Sequence, residues 1–144
     1  MERNLNCTSA IIVRDGKILL GERKKKSGTG HDSSFWYTPG GRCEGNETPE
    51  QTVLREIKEE IGITDAQIVT KLLECRGVFE DKHGRDILHV FLVTITGEPK
   101  LMEPEKFLGW QWFGLEELPE NLIDRERDIP MFEKAISEAE KLVK

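Results

Sequence analysis

GRCEGNETPEQTVLREIKEEIGI, residues 41–63, reads as a capped helix carrying more carboxylates than a helix face tolerates unaided. Thr48 can accept from orphan amides, Pro49 suits the first helical position, and Gln51 stands where a capping box places its reciprocal acceptor. Gly62 can adopt the left-handed conformation that closes a helix. Between these marks, Val53, Leu54, Ile57 and Ile61 recur at spacings of three and four and predict one buried face. Glu56, Glu59 and Glu60 fall on the neighbouring face, within an arc of roughly 100° at about 3.6 residues per turn. Carboxylates this close repel one another unless positive charge stands between them. Arg55 offers a single charge, beside Glu59. A hard divalent cation resolves the conflict, because Mg²⁺ takes oxygen ligands and joins a few carboxylates to substrate phosphates. The competing reading is a solvated acidic face.

The rest of the composition sets limits. The chain has 144 residues, enough for one compact domain spanning 1–144, with 33% charged and 37% hydrophobic residues. No apolar run reaches the length of a membrane span, and Met1-Glu2-Arg3-Asn4 does not open like a secretory signal. Cys7, Cys43 and Cys75 are odd in number and lack metal-ligand spacing, so reduced thiols and a cytoplasmic location are expected. The net charge of −6 argues against coating of nucleic acid. An anionic substrate is still compatible with it, since a bound cation and local basic groups invert the field within a cleft.

Working outward, residues 8–13 and 17–20 are strand-like around an Asp15-Gly16 hairpin turn, with Gly21-Glu22 expected to close that hairpin. Arg23-Lys24-Lys25-Lys26 leads into a polar, glycine-rich stretch over 27–34, and 35–37 predicts a short strand before Pro39-Gly40-Gly41. Beyond the helix, 66–79 and 87–96 predict two longer strands linked around 81–84, and 107–113 an aromatic one. Asp128 and Pro130 are expected to introduce a final helix with Phe132, Ile136, Ala139 and Val143 as its apolar stripe. Trp110 and Trp112 fall on one side of their strand, so a single core face accounts for both. Strands with two helices on their faces predict an α+β fold.

Written as a pattern, the deciding stretch is G-x5-E-x7-R-E-I-x-E-E-x-G-I, carried by Gly41, Glu47, Arg55, Glu56, Ile57, Glu59, Glu60, Gly62 and Ile63. This resembles, without a departure, the Nudix box of the hydrolases related to MutT. The resemblance covers most of the chain and implies an α/β/α sandwich, a mixed sheet held between helices. It also implies hydrolysis of a nucleoside diphosphate linked to another group, with Mg²⁺ or Mn²⁺. Carried over residue by residue, Glu56, Glu59 and Glu60 become metal ligands and Gly40 offers its carbonyl oxygen. Arg55 orients the carboxylates, Glu47 supports the loop before the helix, and Glu59 or a glutamate on a later loop accepts the proton of the attacking water. Relatives carry a further acidic ligand before a tryptophan-containing strand; here Glu105 is favoured over Glu103. Arg23 stands where relatives meet substrate phosphate, while Lys24, Lys25 and Lys26 are expected to be solvated. His31, His83 and His89 lack ligand spacing and receive no role.

Within the family, short length, the segment Glu103-Pro104-Glu105-Lys106 and the run of residues 112–119 resemble the small nucleoside triphosphate pyrophosphatases. The expected reaction is (d)NTP plus water to (d)NMP and pyrophosphate. Arg76-Gly77-Val78 stands where ADP-ribose hydrolases carry a proline, and the tyrosine typical of dinucleoside polyphosphate hydrolases is missing there. Thr38 departs from the aliphatic residue usual before Pro-Gly-Gly. The competing functions are a nucleotide-sugar or RNA 5′-end pyrophosphohydrolase, and a non-catalytic nucleotide sensor, which would be expected to have lost box carboxylates. A nucleotide is the expected partner, with no membrane and no nucleic acid; a homodimer stays open.

Overall fold

The computed structural model describes residues 4–24, 34–76, 86–122 and 125–143. Strands β1 (Asn6–Arg14) and β2 (Lys17–Lys24) meet through Asp15 and Gly16, at φ 51° and 74°. Two successive positive φ values give the primed turn whose twist matches a hairpin. The two strands pair only at Val13↔Ile18 and Arg14↔Lys17, then part. Beyond that point β1 runs parallel to β5 (Ile87–Thr94), whose other edge holds β4 (Gln67–Arg76) antiparallel. β2 pairs with β6 (Phe107–Phe113) along one edge and with β3 (Ser34–Tyr37) along the other. Among the described residues the result is a mixed six-stranded sheet, forked at the hairpin.

Alternation along the central strands supplies both faces of the sheet. Ala10, Ile12, Leu19, Phe91 and Val93 pack on one side with Val53, Ile57 and Ile61 of helix α1 (Pro49–Ile61). Ile11, Val13, Ile18, Leu20, Val90 and Leu92 pack on the other with Phe132, Ala135 and Ile136 of helix α2 (Arg125–Glu140). Burial on both faces is why these strands read as unbroken apolar runs. Trp110 and Trp112 both lean on the α1 side, as their spacing predicts. The fold is α+β, with the mixed sheet between helices.

Four local expectations are corrected. Gly21-Glu22 does not close the hairpin, because β2 continues through both residues. Gly21 is a packing glycine instead: a Cβ there would sit 2.6 Å from the Trp110 ring. Helix α2 begins at Arg125, ahead of Asp128, and encloses Pro130. The amide that Pro130 lacks would have met the carbonyl of Glu126, an exposed residue at the helix entry, where the loss is small. Leu54 is exposed, and the buried arc of α1 is instead completed by Thr52 and Glu60. Finally, β4 starts at Gln67 and β5 ends at Thr94. The expected strand ends at 77–79, the link at 81–84, the stretch over 27–33 and the side chain of Val143 lie outside the described residues.

Candidate active site

The Pro-Gly-Gly turn is held along the edge of β1 that the forked sheet leaves open. Ala10 N–H donates to the Pro39 carbonyl at 2.7 Å, Thr8 N–H to the Gly41 carbonyl at 2.8 Å, and Cys43 N–H to the Asn6 carbonyl at 2.9 Å. Gly40 has φ 151°, and a Cβ on it would lie 2.2 Å from the Thr8 carbonyl oxygen, so only glycine fits. At Gly41 the obstacle is different: a Cβ would meet the carboxylate of Glu56 at 2.5 Å. Thr38 bonds its hydroxyl to that of Ser9, so this departure from the aliphatic residue is absorbed locally.

Helix α1 presents its carboxylates to that turn. Thr48 caps Gln51 N–H, the Gln51 side chain returns to Thr48 N–H, and Gly62 closes the helix at φ 72°. Arg55 then organises the first part of the face. Its Nε and Nη2 grip Glu47 at 2.7 and 3.0 Å, and Nη1 is shared between Glu56 at 3.1 Å and Glu59 at 3.2 Å. Glu47 also accepts from Glu44 N–H and the Thr52 hydroxyl. The Arg55 bonds, with these, hold the Glu47 carboxyl at about 2.

Glu60 is in the opposite condition. It is buried and accepts a hydrogen bond from Gly40 N–H at 2.9 Å. Burial, with the negative charges of Glu56 and Glu103 adding to it, pushes its carboxyl up to about 8. Glu56 is raised as well, by burial against the opposing pull of Arg55. Glu59, half exposed, stays with Arg55 and does not line the cavity.

Glu56, Glu60 and Glu103 form the acidic part of the wall of a cavity of about 310 Å³ floored by Gly40 and Gly41. Arg23, Arg42 and Lys106 bring positive charge to the same space. Glu103, not the favoured Glu105, therefore reaches it. The amides of Lys106 and Phe107 both return to the Glu103 carbonyl, at 2.9 and 3.0 Å, and this turn leaves Glu105 exposed. A contiguous cavity of about 360 Å³ shares Arg23, Gly40, Gly41, Glu60 and Phe107 and is completed by residues including Tyr37, Leu88 and Asp128. Arg23 sits over the rings of Tyr37 at 5.5 Å and Phe107 at 5.9 Å, where the two spaces join. Arg42 and Lys106 escaped the sequence reading. Arg42 occupies an unconstrained place in the motif, and only the i,i+3 relation of Glu103 to Lys106 hinted at a local pair.

Outside this space, His89 is buried between Lys71 and the Asn6 amide oxygen, each 2.8 Å from a ring nitrogen. His31, His83, Lys25 and Lys26 lie outside the described residues. Cys7, Cys43 and Cys75 form no disulfide.

Among the described residues no three Asp, Glu, His or Cys side chains are already gathered into a metal-ligating group. Arg55 and Lys106 draw Glu56, Glu59 and Glu103 toward themselves. The donors nevertheless suit a hard divalent cation: they are oxygens, and Glu60 ionises reluctantly because burial strips it of water and the charges of Glu56 and Glu103 oppose its own. Glu56, Glu60, Glu103 and the Gly40 carbonyl would hold such an ion.

A NUDIX domain model matches residues 5–134, and the chain belongs to that family. An RNA pyrophosphohydrolase of Gluconacetobacter diazotrophicus is 31% identical over 141 residues, covering 86% of this chain and 84% of its own. An 8-oxo-dGTP diphosphatase of Proteus vulgaris is 39% identical over 94 residues, 65% of this chain and 79% of its own. The crystal structure of a MutT NUDIX hydrolase from Burkholderia pseudomallei superimposes with a TM-score of 0.70 at 31% identity, covering 89% and 96% of the two chains.

Proposed function

We propose that this chain, a single Nudix domain over 1–144, hydrolyses nucleoside or deoxynucleoside triphosphates to the monophosphate and pyrophosphate, with Mg²⁺ or Mn²⁺ in the acidic cavity. One observation carries the reading: Glu56, Glu60 and Glu103 share a 310 Å³ space with Arg23, Arg42 and Lys106. Carboxylates alone would suit a cation and arginines alone an anion; the mixture suits a cation bound to a polyphosphate. The adjoining space, with Tyr37, Leu88 and Phe107 in its wall, gives the nucleoside an apolar seat.

When bound, the divalent cation shields phosphate charge and lowers the pKa of a coordinated water. The chain's own residues do the rest. Arg23, steadied by two aromatic rings, grips the phosphate between nucleoside and cation. Gly40 places the backbone where a carboxylate and a substrate oxygen approach it together. Arg55 sets the spacing of Glu56 and Glu59, with Glu47 as its anchor. Glu59, half exposed and held by the same Arg55 nitrogen as Glu56, takes the proton as water attacks phosphorus and the pyrophosphate bond breaks.

No helix among the described residues is long and apolar enough to cross a membrane. Three cysteines outside any disulfide are consistent with a reducing cytoplasm. A second reading, removal of pyrophosphate from an RNA 5′ end, is favoured by the similarity to the Gluconacetobacter enzyme along most of both chains. One screen separates them. NTPs, dNTPs, oxidised nucleotides, nucleotide sugars and 5′-triphosphate RNA are offered with Mg²⁺ or Mn²⁺, and products are identified by mass. Monophosphate and pyrophosphate from a free nucleotide are expected. Turnover confined to RNA, or to a nucleotide sugar, would overturn the assignment.

A further inference from the structure

Lys106 stands at the cavity rim with a fixed base and an adjustable head. Its amide donates to the Glu103 carbonyl and its own carbonyl accepts from Lys24 N–H, both at 2.9 Å, while the adjacent Phe107 is fully buried. The side chain, by contrast, is 52% exposed, and its ammonium reaches Glu103 at 3.2 Å. Glu103 is the cavity carboxylate contributed from outside α1, and its charge acts on both Glu56 and Glu60. Resting on the divalent-cation reading above, this creates a competition. Lysine and cation seek the same carboxylate, and the lysine, displaced, would be left facing a space sized for polyphosphate.

We propose that Lys106 binds substrate by exchange: it pairs with Glu103 in the unliganded protein, and its ammonium passes to a phosphate oxygen of the bound triphosphate once Glu103 is neutralised by the cation. The four-carbon stem and point charge of lysine suit such a transfer, because the ammonium needs no planar partner. The exchange makes cation and polyphosphate bind cooperatively. Each removes a competitor from the other, and linkage requires that the effect be mutual.

This arrangement predicts opposite signs for one substitution, which a residue that only props the loop cannot give. Affinity for Mn²⁺ alone is measured by paramagnetic resonance, and affinity for inorganic pyrophosphate by calorimetry in saturating Mn²⁺. In Lys106→Gln, Mn²⁺ alone should bind roughly two- to fivefold more tightly, the range set by losing an exposed ion pair. Pyrophosphate should bind roughly tenfold more weakly, or worse, through loss of a charge-assisted contact. Lys106→Arg should recover most of the second effect, and in a Glu103→Gln background the first should vanish. If both affinities fall together, or neither moves, the exchange is wrong. Wild-type protein that binds no Mn²⁺ would remove the divalent-cation reading and the exchange with it. Normal binding by wild type without the opposed pair of effects removes the exchange alone.

Discussion

Glu47 and Glu60 belong to one motif and have been driven in opposite directions. Glu47 is gripped by two nitrogens of Arg55, an amide and a hydroxyl, and its carboxyl titrates near 2. Glu60 has a backbone amide, little water, and two other carboxylates for company, and it titrates near 8. The first end of the motif is electrostatically complete by itself. The second is incomplete until something positive arrives. A carboxylate satisfied within the fold orients other groups; one left frustrated by the fold is a place for a ligand.

Substituting Glu60 by Gln should sharpen that contrast most. Turnover with saturating Mg²⁺ should fall by about a thousandfold or more, since a cation ligand is lost. Stability of the metal-free protein should move the other way. With its pKa raised in the folded state, Glu60 keeps its proton while the unfolded chain releases one, so stability declines as pH rises from about 4.5 to about 8. The Gln variant should lack this decline and melt higher than wild type in EDTA above pH 8. Identical melting curves for the two proteins would show that Glu60 is not strained.

The glycine pair separates fold from site next. Gly41→Ala should retain near-normal melting, because the atoms nearest its Cβ are the movable end of Glu56, yet lose roughly 10- to 100-fold in kcat by displacing that carboxylate. Gly40→Ala meets backbone at a positive φ and should lose about 3 kcal/mol or more of stability in denaturant titrations. Similar melting losses in both would erase the distinction.

Glu47→Gln should lower kcat about tenfold, through loosened control of Arg55 over Glu56 and Glu59. Its linkage runs opposite to that of Glu60. Glu47 contributes stability above the unfolded value of 4.5, and that contribution disappears as pH falls toward about 2. Acid titration of the Gln variant should therefore lose a corresponding slope. Smallest of all, Glu105→Gln should change kcat/KM by less than about twofold, whereas Glu103→Gln should weaken Mn²⁺ binding about tenfold. Equal effects at the two positions would return the further carboxylate to the place the sequence suggested.

Much of this arrangement was legible along the chain because it is local. Thr48, Pro49, Gln51 and Gly62 bound their helix through contacts within a few residues, and the Asp15-Gly16 turn needs only its own two positive φ values. Errors arose where a distant partner chose. Gly21 looked like a turn and proved to be space for the Trp110 ring; Leu54 looked buried and gave its place to Thr52 and Glu60. Pro130 looked like a helix start and is enclosed by one whose core contacts, Phe132, Ala135 and Ile136, lie on the sheet.

The order of residues along α1 determined by itself that acidic groups would share a helix face with too little positive charge among them, because helical periodicity is a property of the chain alone. Tertiary structure decided which of them would be buried and which positive groups would face them. The open edge of β1 brings Gly40 onto Glu60, and the turn at 103–106 swings Glu103 inward and Glu105 outward. Burial and charge proximity depend on elements far apart in sequence, and spacing within one element does not encode them.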